Sequence, residues 1–420
     1  MKLLKINKYY IFIALIIFFN LQGLYLLDDT VFHTSDVAVI LEIAFIAYVA
    51  IKGGYKGKSR YQILMLLPIV LMFTSSYSAH LHYGQPLWYG IRAQRAWISA
   101  MLMYFPISGL IRNKKISINN IAKILDRMIF VYMILLIVQF FLGSSVAFLH
   151  LPISSRFGSA RLYASTYFIV LVYFIHLQRI IEQKRLRLFD ILIVVCTIFI
   201  HLFVVKSRMS LAVLILATAF AVFSARFTGR KLALICIGLL GVAIFMVSPY
   251  GQMVFDAMFG STAQDAGTEI RDVGRIFYIE QTLSTKMYAL FGSGYANLDW
   301  QPTVKATHYL EGIYYNDHGI IGLFFYYGFS MVAWTVFAHI KVMKDAWKSN
   351  TRDVFMFLLC GLIGSYTLFP YNYVTDISFA IALAITDNRL LEKQQMCMKS
   401  IESKDGADLT SSMVFKGEKY

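Results

Sequence analysis

The chain has 420 residues, of which 58% are hydrophobic and 15% are charged, and its formal net charge is +15. A soluble domain is about 45–50% apolar and about 25% charged, so this composition excludes an ordinary soluble enzyme. The basic residues are scattered over short segments between apolar runs, which disfavours nucleic acid as a partner.

Apolar runs recur along the whole chain, and many approach the roughly 20 residues that a helix needs to cross a bilayer. We therefore predict an all-α, polytopic bundle of about twelve transmembrane helices, because the alternation typical of barrel strands is missing. The predicted spans are 9–27, 37–51, 61–79, 97–111, 128–149, 162–178, 189–205, 209–224, 232–248, 312–340, 354–371 and 374–387. They form one domain over 1–387, and the polar residues 388–420 are predicted to be a flexible cytoplasmic tail.

The distribution of basic residues predicts the orientation of this bundle. With the N-terminus inside, the cytoplasmic segments carry 29 Lys and Arg residues and the outer segments carry 10. The positive-inside rule then places both termini in the cytoplasm and makes 249–310 a large extracytoplasmic loop. No small-residue cleavage site follows the first apolar run, so 9–27 is predicted to be a retained span and not a signal peptide.

The four cysteines give no sign of a redox or metal site, because none has a CxxC partner. No nucleotide-binding or zinc-protease motif is present either. The sequence therefore predicts neither a cofactor nor a metal.

The outer segments are unusually rich in arginine. Seven of their ten basic residues are Arg, whereas the cytoplasmic segments have ten Arg and nineteen Lys. A planar guanidinium can grip a phosphate or carboxylate in two places, so the choice of Arg indicates an anion-binding site. For any single Arg the alternative is simple anchoring to lipid headgroups. The seven are Arg92, Arg95, Arg156, Arg161, Arg208, Arg271 and Arg275.

Two of these arginines belong to a predicted helix in the large loop. The stretch "VGRIFYIEQTLSTKMYAL" (273–290) has helical apolar spacing. Arg271 and Arg275 would share one face near the helix N-terminus, where backbone N–H groups also attract anions. Because no ATP is available outside a cell, the expected anion is a phosphate-bearing group at the membrane surface.

The next segment carries a second polar group. Were the chain helical from His308, then His308, Glu311, Tyr315 and His318 would line one face at the head of an apolar span. Ionisable residues at membrane depth indicate function. The alternative is a polar vestibule without chemistry.

Four stretches carry a resemblance to a known family: "KSRMSLAVL" (206–214), "GRIFYIEQTL" (274–283), "LFGSGYAN" (290–297) and "HYLEGIYYNDHGIIG" (308–322). Together they resemble the O-antigen polymerase and ligase family, bacterial membrane enzymes that use polyprenyl-pyrophosphate glycans. The resemblance is strongest over about 200–330. It departs at Tyr309, where the family frequently has Asn after the His.

The resemblance implies glycosyl transfer at the outer face of the cytoplasmic (inner) membrane. A sugar hydroxyl would attack the anomeric carbon of a lipid-linked glycan, and the pyrophosphate would leave. Arg208, Arg271 and Arg275 would stabilise its charge, and His308 would be the base, with Glu269, Asp272 and Glu311 as rivals. Arg92, Arg95, Arg156, Arg161, Glu311 and His318 are the expected substrate-binding residues.

The partners implied are the polyprenyl-pyrophosphate-linked oligosaccharide, membrane lipid, a chain-length regulator and a flippase. A polymerase of repeat units is favoured. A ligase that passes the glycan to a lipid or protein acceptor shares the same features. A transporter of an anionic substrate is disfavoured by the large outer loop, since transporters usually place charge near the midplane.

Overall fold

The chain is predominantly α-helical, as predicted. The computed structural model describes residues 7–55, 59–156, 159–182, 187–224, 266–308, 313–366 and 373–414, with a few isolated positions between 238 and 252. The predicted span 232–248 and the first part of the predicted outer loop lie mostly outside the described residues.

The first half of the bundle is built from α1 (Lys8–Asn20), the short α2 (Asp29–Phe32), α3 (Thr34–Ile51), α4 (Gln62–Tyr83), α5 (Leu87–Leu102), α6 (Tyr104–Arg112) and α7 (Ile118–Leu142). A 3-10 turn, Gln22–Tyr25, follows α1. The ends of α7 show local reasons for its length. Ser117 accepts a hydrogen bond from the backbone of Asn120 at the start, and Gly143 has a positive φ of 67° at the end. Ser is common at the residue before a helix begins, and Gly is common at the residue where a helix ends.

The second half begins with an antiparallel hairpin of β1 (Ile153–Arg156) and β2 (Ser159–Leu162). It continues with α8 (Tyr167–Glu182), α9 (Leu188–Phe199) with a π turn (Ile200–Val204), α10 (Arg208–Ser224), α11 (Ala266–Leu283), α12 (Lys286–Phe291), α13 (Gln301–Ala306), α14 (Ile320–Lys348), α15 (Arg352–Gly364) and α16 (Tyr373–Val414). The hairpin was not predicted, because 153–162 reads as an ordinary polar loop.

The first half of α16 is the central helix of the bundle. Every residue from 377 to 388 is buried, and α5, α6, α8 and α14 pack around this helix. From 377 to 385 its residues are apolar except Ser378, and a helix that is apolar on all sides over such a stretch is expected at a central position. The predicted boundary at 388 falls inside α16, which continues to Val414.

Three described helices are long and apolar enough to cross a membrane: Thr34–Ile51, Gln62–Tyr83 and Ile320–Lys348. Lys8–Asn20, Leu188–Val204 and Arg208–Ser224 are apolar but shorter. The length and composition of the three longer helices are those of a membrane protein.

The helices of the predicted outer loop differ from the expectation in two places. The helix predicted over 273–290 is interrupted, because the Thr285 side chain accepts a hydrogen bond from the Tyr288 backbone and caps a new helix. A continuous helix from His308 is not observed. His308 has a left-handed φ of 53°, Tyr315–His318 forms a 3-10 turn, and α14 starts only at Ile320.

Candidate functional site

An open cavity of about 700 Å³ lies at the end of the bundle where the hairpin and the Tyr315–His318 turn are found, and α11 packs against that turn. We call this the cavity end. Its wall is formed by α5, the hairpin, the first turns of α8 and α10, the Tyr315–His318 turn, α14, α15 and α16. The polar and aromatic lining residues include Trp97, Arg161, Tyr163, Tyr167, Ser207, Ser210, Tyr295, Tyr315, Asp317, His339 and Ser365.

Arg161 enters the cavity from β2. The hairpin register pairs Arg161 with Ser154, and the Arg161 Nε donates a hydrogen bond to the Val205 carbonyl at 3.1 Å. The guanidinium also stacks on the Tyr163 ring, 4.5 Å from its centroid. These contacts fix a cation in the cavity wall. Arg156 pairs with Ser159 in the same hairpin, and its side chain lies outside the described part.

Arg208 is the first residue of α10. The two serines beside it in sequence, Ser207 and Ser210, line the cavity. The stretch 206–214 therefore begins at the cavity wall. The structure brings this part of the chain and Arg161 to the same cavity, because the Val205 carbonyl that Arg161 contacts lies three residues before Arg208.

Arg271 and Arg275 stand on one face of α11, as their spacing predicts. Arg275 contacts Asp272 at 3.2 Å, and its guanidinium lies 5.9 Å from the Tyr366 ring centroid. Arg271 reaches the cavity through Asp317, with 3.8 Å between the two charged groups. Their predicted place near a helix N-terminus is wrong. Backbone N–H groups attract anions only in the first turn of a helix. Because α11 already includes Ala266, both arginines lie beyond its first turn.

His318 lies directly beneath these arginines. It is 1% exposed, and its ring packs edge-on against Tyr278 with 5.0 Å between the centroids. A Cβ at Gly274 would stand 2.6 Å from its Nε2, so Gly274 is the residue that lets His318 fit against α11. Burial lowers the pKa of His318, the positive charges of Arg275 and Arg271 lower it further, and Asp317 acts in the opposite sense. Burial and the two neighbouring arginines therefore favour the neutral form of the imidazole.

His308, Glu311, Tyr315 and His318 were predicted to share one helix face. The structure separates His308 from the turn that contains Tyr315 and His318. His308 packs edge-on against Phe277 of α11, with 4.7 Å between the ring centroids, and it does not belong to the described lining of the cavity. Glu311 falls outside the described residues. Glu269 is a described position of α11, but its side chain is not. Tyr315 and His318 share the 3-10 turn.

Arg92 and Arg95 are placed on α5 but not on its cavity side. Ala93, Ala96 and Trp97 line the cavity, whereas Arg95 bonds Asp36 through its Nε at 2.7 Å. Arg92 contacts Asp299 at 3.8 Å. These two pairs connect α5 to α3 and to the turn before α13.

Two features of the site escaped the sequence analysis. Asp317 lines the cavity, and the hydroxyl groups of Tyr295 and Tyr315 are 2.9 Å apart at its wall. The available signal for Asp317 was its position next to His318 at the head of an apolar span, shortly after the predicted outer loop that carries Arg271 and Arg275. The turn "LFGSGYAN" places Tyr295 at the cavity. The Gln85 side chain donates to the Tyr295 carbonyl and accepts from the Asn297 N–H, and so orients Tyr295.

Within the described ranges, no group of three or more His, Cys, Asp or Glu side chains is arranged to hold a metal ion. No protein-family model, no characterised protein and no solved structure matches this chain.

Proposed function

We propose that this chain is a polytopic membrane glycosyltransferase that polymerises polyprenyl-pyrophosphate-linked oligosaccharide repeat units into a surface polysaccharide. The reaction would take place at the outer face of the cytoplasmic membrane, in a bundle of about twelve spans with both termini inside. The observation that carries the proposal is that Arg161 lines one open, aromatic-lined cavity and that Arg271 pairs with Asp317 of the same cavity, with Arg275 one helical turn further along α11.

The charges of the cavity end suit a leaving pyrophosphate. Arg271 is 55% exposed and Arg275 is 31% exposed, and each contacts one carboxylate. Exposed ion pairs of this kind contribute about 0–1 kcal/mol, so a multiply charged phosphate group can replace the carboxylate at little cost. Guanidinium groups held in place before the reaction stabilise charge that develops on a leaving group.

The cavity wall suits a sugar chain. Trp97 stacks on Tyr327 with 5.6 Å between the ring centroids, and Tyr295 and Tyr315 meet edge-on at 5.9 Å. Flat, apolar ring faces beside hydroxyl groups can contact both the C–H face and the hydroxyls of a sugar ring. A cavity of about 700 Å³ holds a group as large as a few sugar rings, since ligand pockets of about 300–1,000 Å³ hold drug-sized molecules.

The function is tested by deleting the gene and measuring the length of the surface glycan. A polymerase predicts loss of all chains longer than one repeat unit. Long chains that accumulate on the lipid carrier would make the protein a ligase instead. Unchanged glycan would exclude both and favour a transporter.

The orientation is tested by cysteine labelling of intact cells. Lys286 on α12 and Asn350 before α15 are both exposed, so cysteines placed there are accessible to reagent in a background that lacks the exposed Cys397. Lys286→Cys should react with an impermeant maleimide from outside, and Asn350→Cys should react only after lysis. Labelling of Asn350→Cys in intact cells would contradict the orientation.

A further inference from the structure

The cavity contains one acidic side chain among its described lining residues, that of Asp317. It lies on the 3-10 turn Tyr315–His318 and is half-exposed, at 46% of its side-chain area. The cavity therefore offers a carboxylate at the same wall where the arginines of α11 approach.

The backbone around this carboxylate is held by its neighbours. Gly319 has a φ of 53°, and a Cβ there would stand 2.2 Å from the Ser365 carbonyl. The Ile320 N–H donates to the same carbonyl at 2.6 Å. On the other side, His318 is buried against Gly274 and Tyr278. A rigid turn carrying an accessible carboxylate is what positioning of a reactive group requires.

The contact between Asp317 and Arg271 is long, at 3.8 Å. A carboxylate has about four lone-pair sites, so this contact leaves room for a hydroxyl donor. The guanidinium beside it is one of those proposed above to hold the leaving group. The two charges therefore stand where an acceptor hydroxyl and a donor pyrophosphate would have to meet.

We propose that Asp317 is the catalytic base that activates the acceptor sugar hydroxyl; this inference rests on the proposed glycosyl transfer. As the hydroxyl oxygen bonds to the anomeric carbon, its proton passes to the Asp317 carboxylate. The bond from the anomeric carbon to the pyrophosphate oxygen breaks, and polyprenyl pyrophosphate leaves with the electron pair. Once Asp317 is neutral, Arg271 loses its carboxylate partner and is released to the leaving group, and the proton later passes to water.

The two histidines of the segment are less well placed for this role. His308 contacts Phe277 and lies off the described cavity wall. His318 is buried beneath Gly274. Of Asp317 and these two histidines, only Asp317 lines the cavity.

The chain offers a matched control. Asp299 pairs with Arg92 at 3.8 Å, the same separation as Asp317 and Arg271, and it is also exposed. Asp299 does not line the cavity in the described structure. Replacing it removes the same charge from the same kind of ion pair, outside the proposed site.

The experiment measures transfer by purified full-length protein in lipid nanodiscs, with a polyprenyl-pyrophosphate oligosaccharide as donor and acceptor. Asp317→Asn should lower kcat by about 10²–10⁴-fold, the usual contribution of a base, while direct binding of donor stays within a few-fold of wild type. Asp317→Glu should recover part of the rate, and Asp299→Asn should match wild type. Asp317→Ser is a second variant should the Asn variant accumulate poorly.

Three results would overturn the inference. If Asp317→Asn or Asp317→Ser keeps kcat within about threefold of wild type, Asp317 is not the base. Asp317→Asn could be faster and bind donor more tightly, which would show that Asp317 only competes with phosphate for Arg271. Equal losses in Asp317→Asn and Asp299→Asn would indicate a general charge effect. A wild-type protein that transfers no sugar would instead fail the proposed function itself.

Discussion

The two ends of the bundle both contain charged clusters, but the clusters are built differently. At the end opposite the cavity, His176 of α8 bonds Asp190 at 2.5 Å and Arg179 bonds Asp126 at 3.2 Å. A second buried pair at that end joins Arg112 to Asp387 at 2.9 Å. At the cavity end, Arg271 and Asp317 stand 3.8 Å apart and both are about half-exposed.

The difference separates charges that hold the fold from charges that can exchange partners. Asp387 is only 4% exposed and also accepts hydrogen bonds from Tyr104 and Ser108, so three groups satisfy one carboxylate. A buried charge needs such partners because desolvation is expensive. An exposed pair contributes about 0–1 kcal/mol and can be replaced by a ligand. Composition alone cannot distinguish these two uses of arginine.

The largest expected effect breaks a pair at the end opposite the cavity. Arg112→Ala leaves the Asp387 carboxylate buried with two neutral donors, and we expect a loss of about 3–5 kcal/mol in the free energy of unfolding. Unfolding of the purified protein in mixed detergent micelles measures it. Arg112→Ala combined with Asp387→Asn should recover much of the loss. If Arg92→Ala, which breaks an exposed pair, is equally destabilising, the contrast between the two ends is wrong.

The next effect concerns catalysis at the cavity end. Arg275→Ala should lower kcat by about 10²–10³-fold, the range for removing one electrostatic donor, with protein stability nearly unchanged. Arg275→Lys should recover only part, because an ammonium cannot form the bidentate contact of a guanidinium. Transfer assays on equal amounts of membrane protein measure it, with Lys286→Ala as the control. Full activity of Arg275→Lys would show that the residue contributes only its charge or anchors to lipid.

A smaller effect tests the packing beneath the arginines. Gly274→Ala places a Cβ 2.6 Å from the His318 Nε2 and 2.9 Å from Ile313. Overpacking costs about 1–3 kcal/mol, which outweighs the gain of up to about 1 kcal/mol in helix propensity. We expect lower stability and lower activity, measured by thermal unfolding and transfer.

The Gly274→Ala result has an internal rescue and a control. His318→Ala in the same chain should restore stability by emptying the space. Gly364→Ala, where a Cβ meets nothing within 4 Å, should not destabilise. A Gly274→Ala protein as stable and active as wild type would show that α11 is free to move away from the turn.

The smallest expected effect decides between the two candidate bases. His308→Ala should lower kcat by less than about tenfold, because it removes a ring contact with Phe277 and the Asp317 base remains. Steady-state transfer measures it beside Asp317→Asn. If His308→Ala lowers kcat by about 10²–10⁴-fold and Asp317→Asn stays active, the base is His308, as the resemblance implied.

Sequence periodicity predicted the elements that depend on neighbouring residues. The helical class and most of the apolar helices follow from the length of the apolar runs, and the shared face of Arg271 and Arg275 follows from their spacing of four residues. The ends of helices were less accurate. The helix predicted over 273–290 stops at Leu283, and α14 begins at Ile320 and not at 312, because a cap at Thr285 and the left-handed Gly319 intervene.

Only the tertiary structure decided which side chains meet. Arg161 reaches the cavity through a contact with Val205, and Tyr295 is oriented by Gln85, 210 residues away. His318 lies beneath the arginines because Gly274 leaves room for its ring. Asp317 becomes part of the cavity because the turn before α14 is bonded to Ser365. Hydrophobic periodicity records which face of a helix is buried, but not which distant group lies against it. The sequence by itself therefore determined the helices and the shared face of Arg271 and Arg275, and long-range packing placed Asp317 and His318 beside these two arginines.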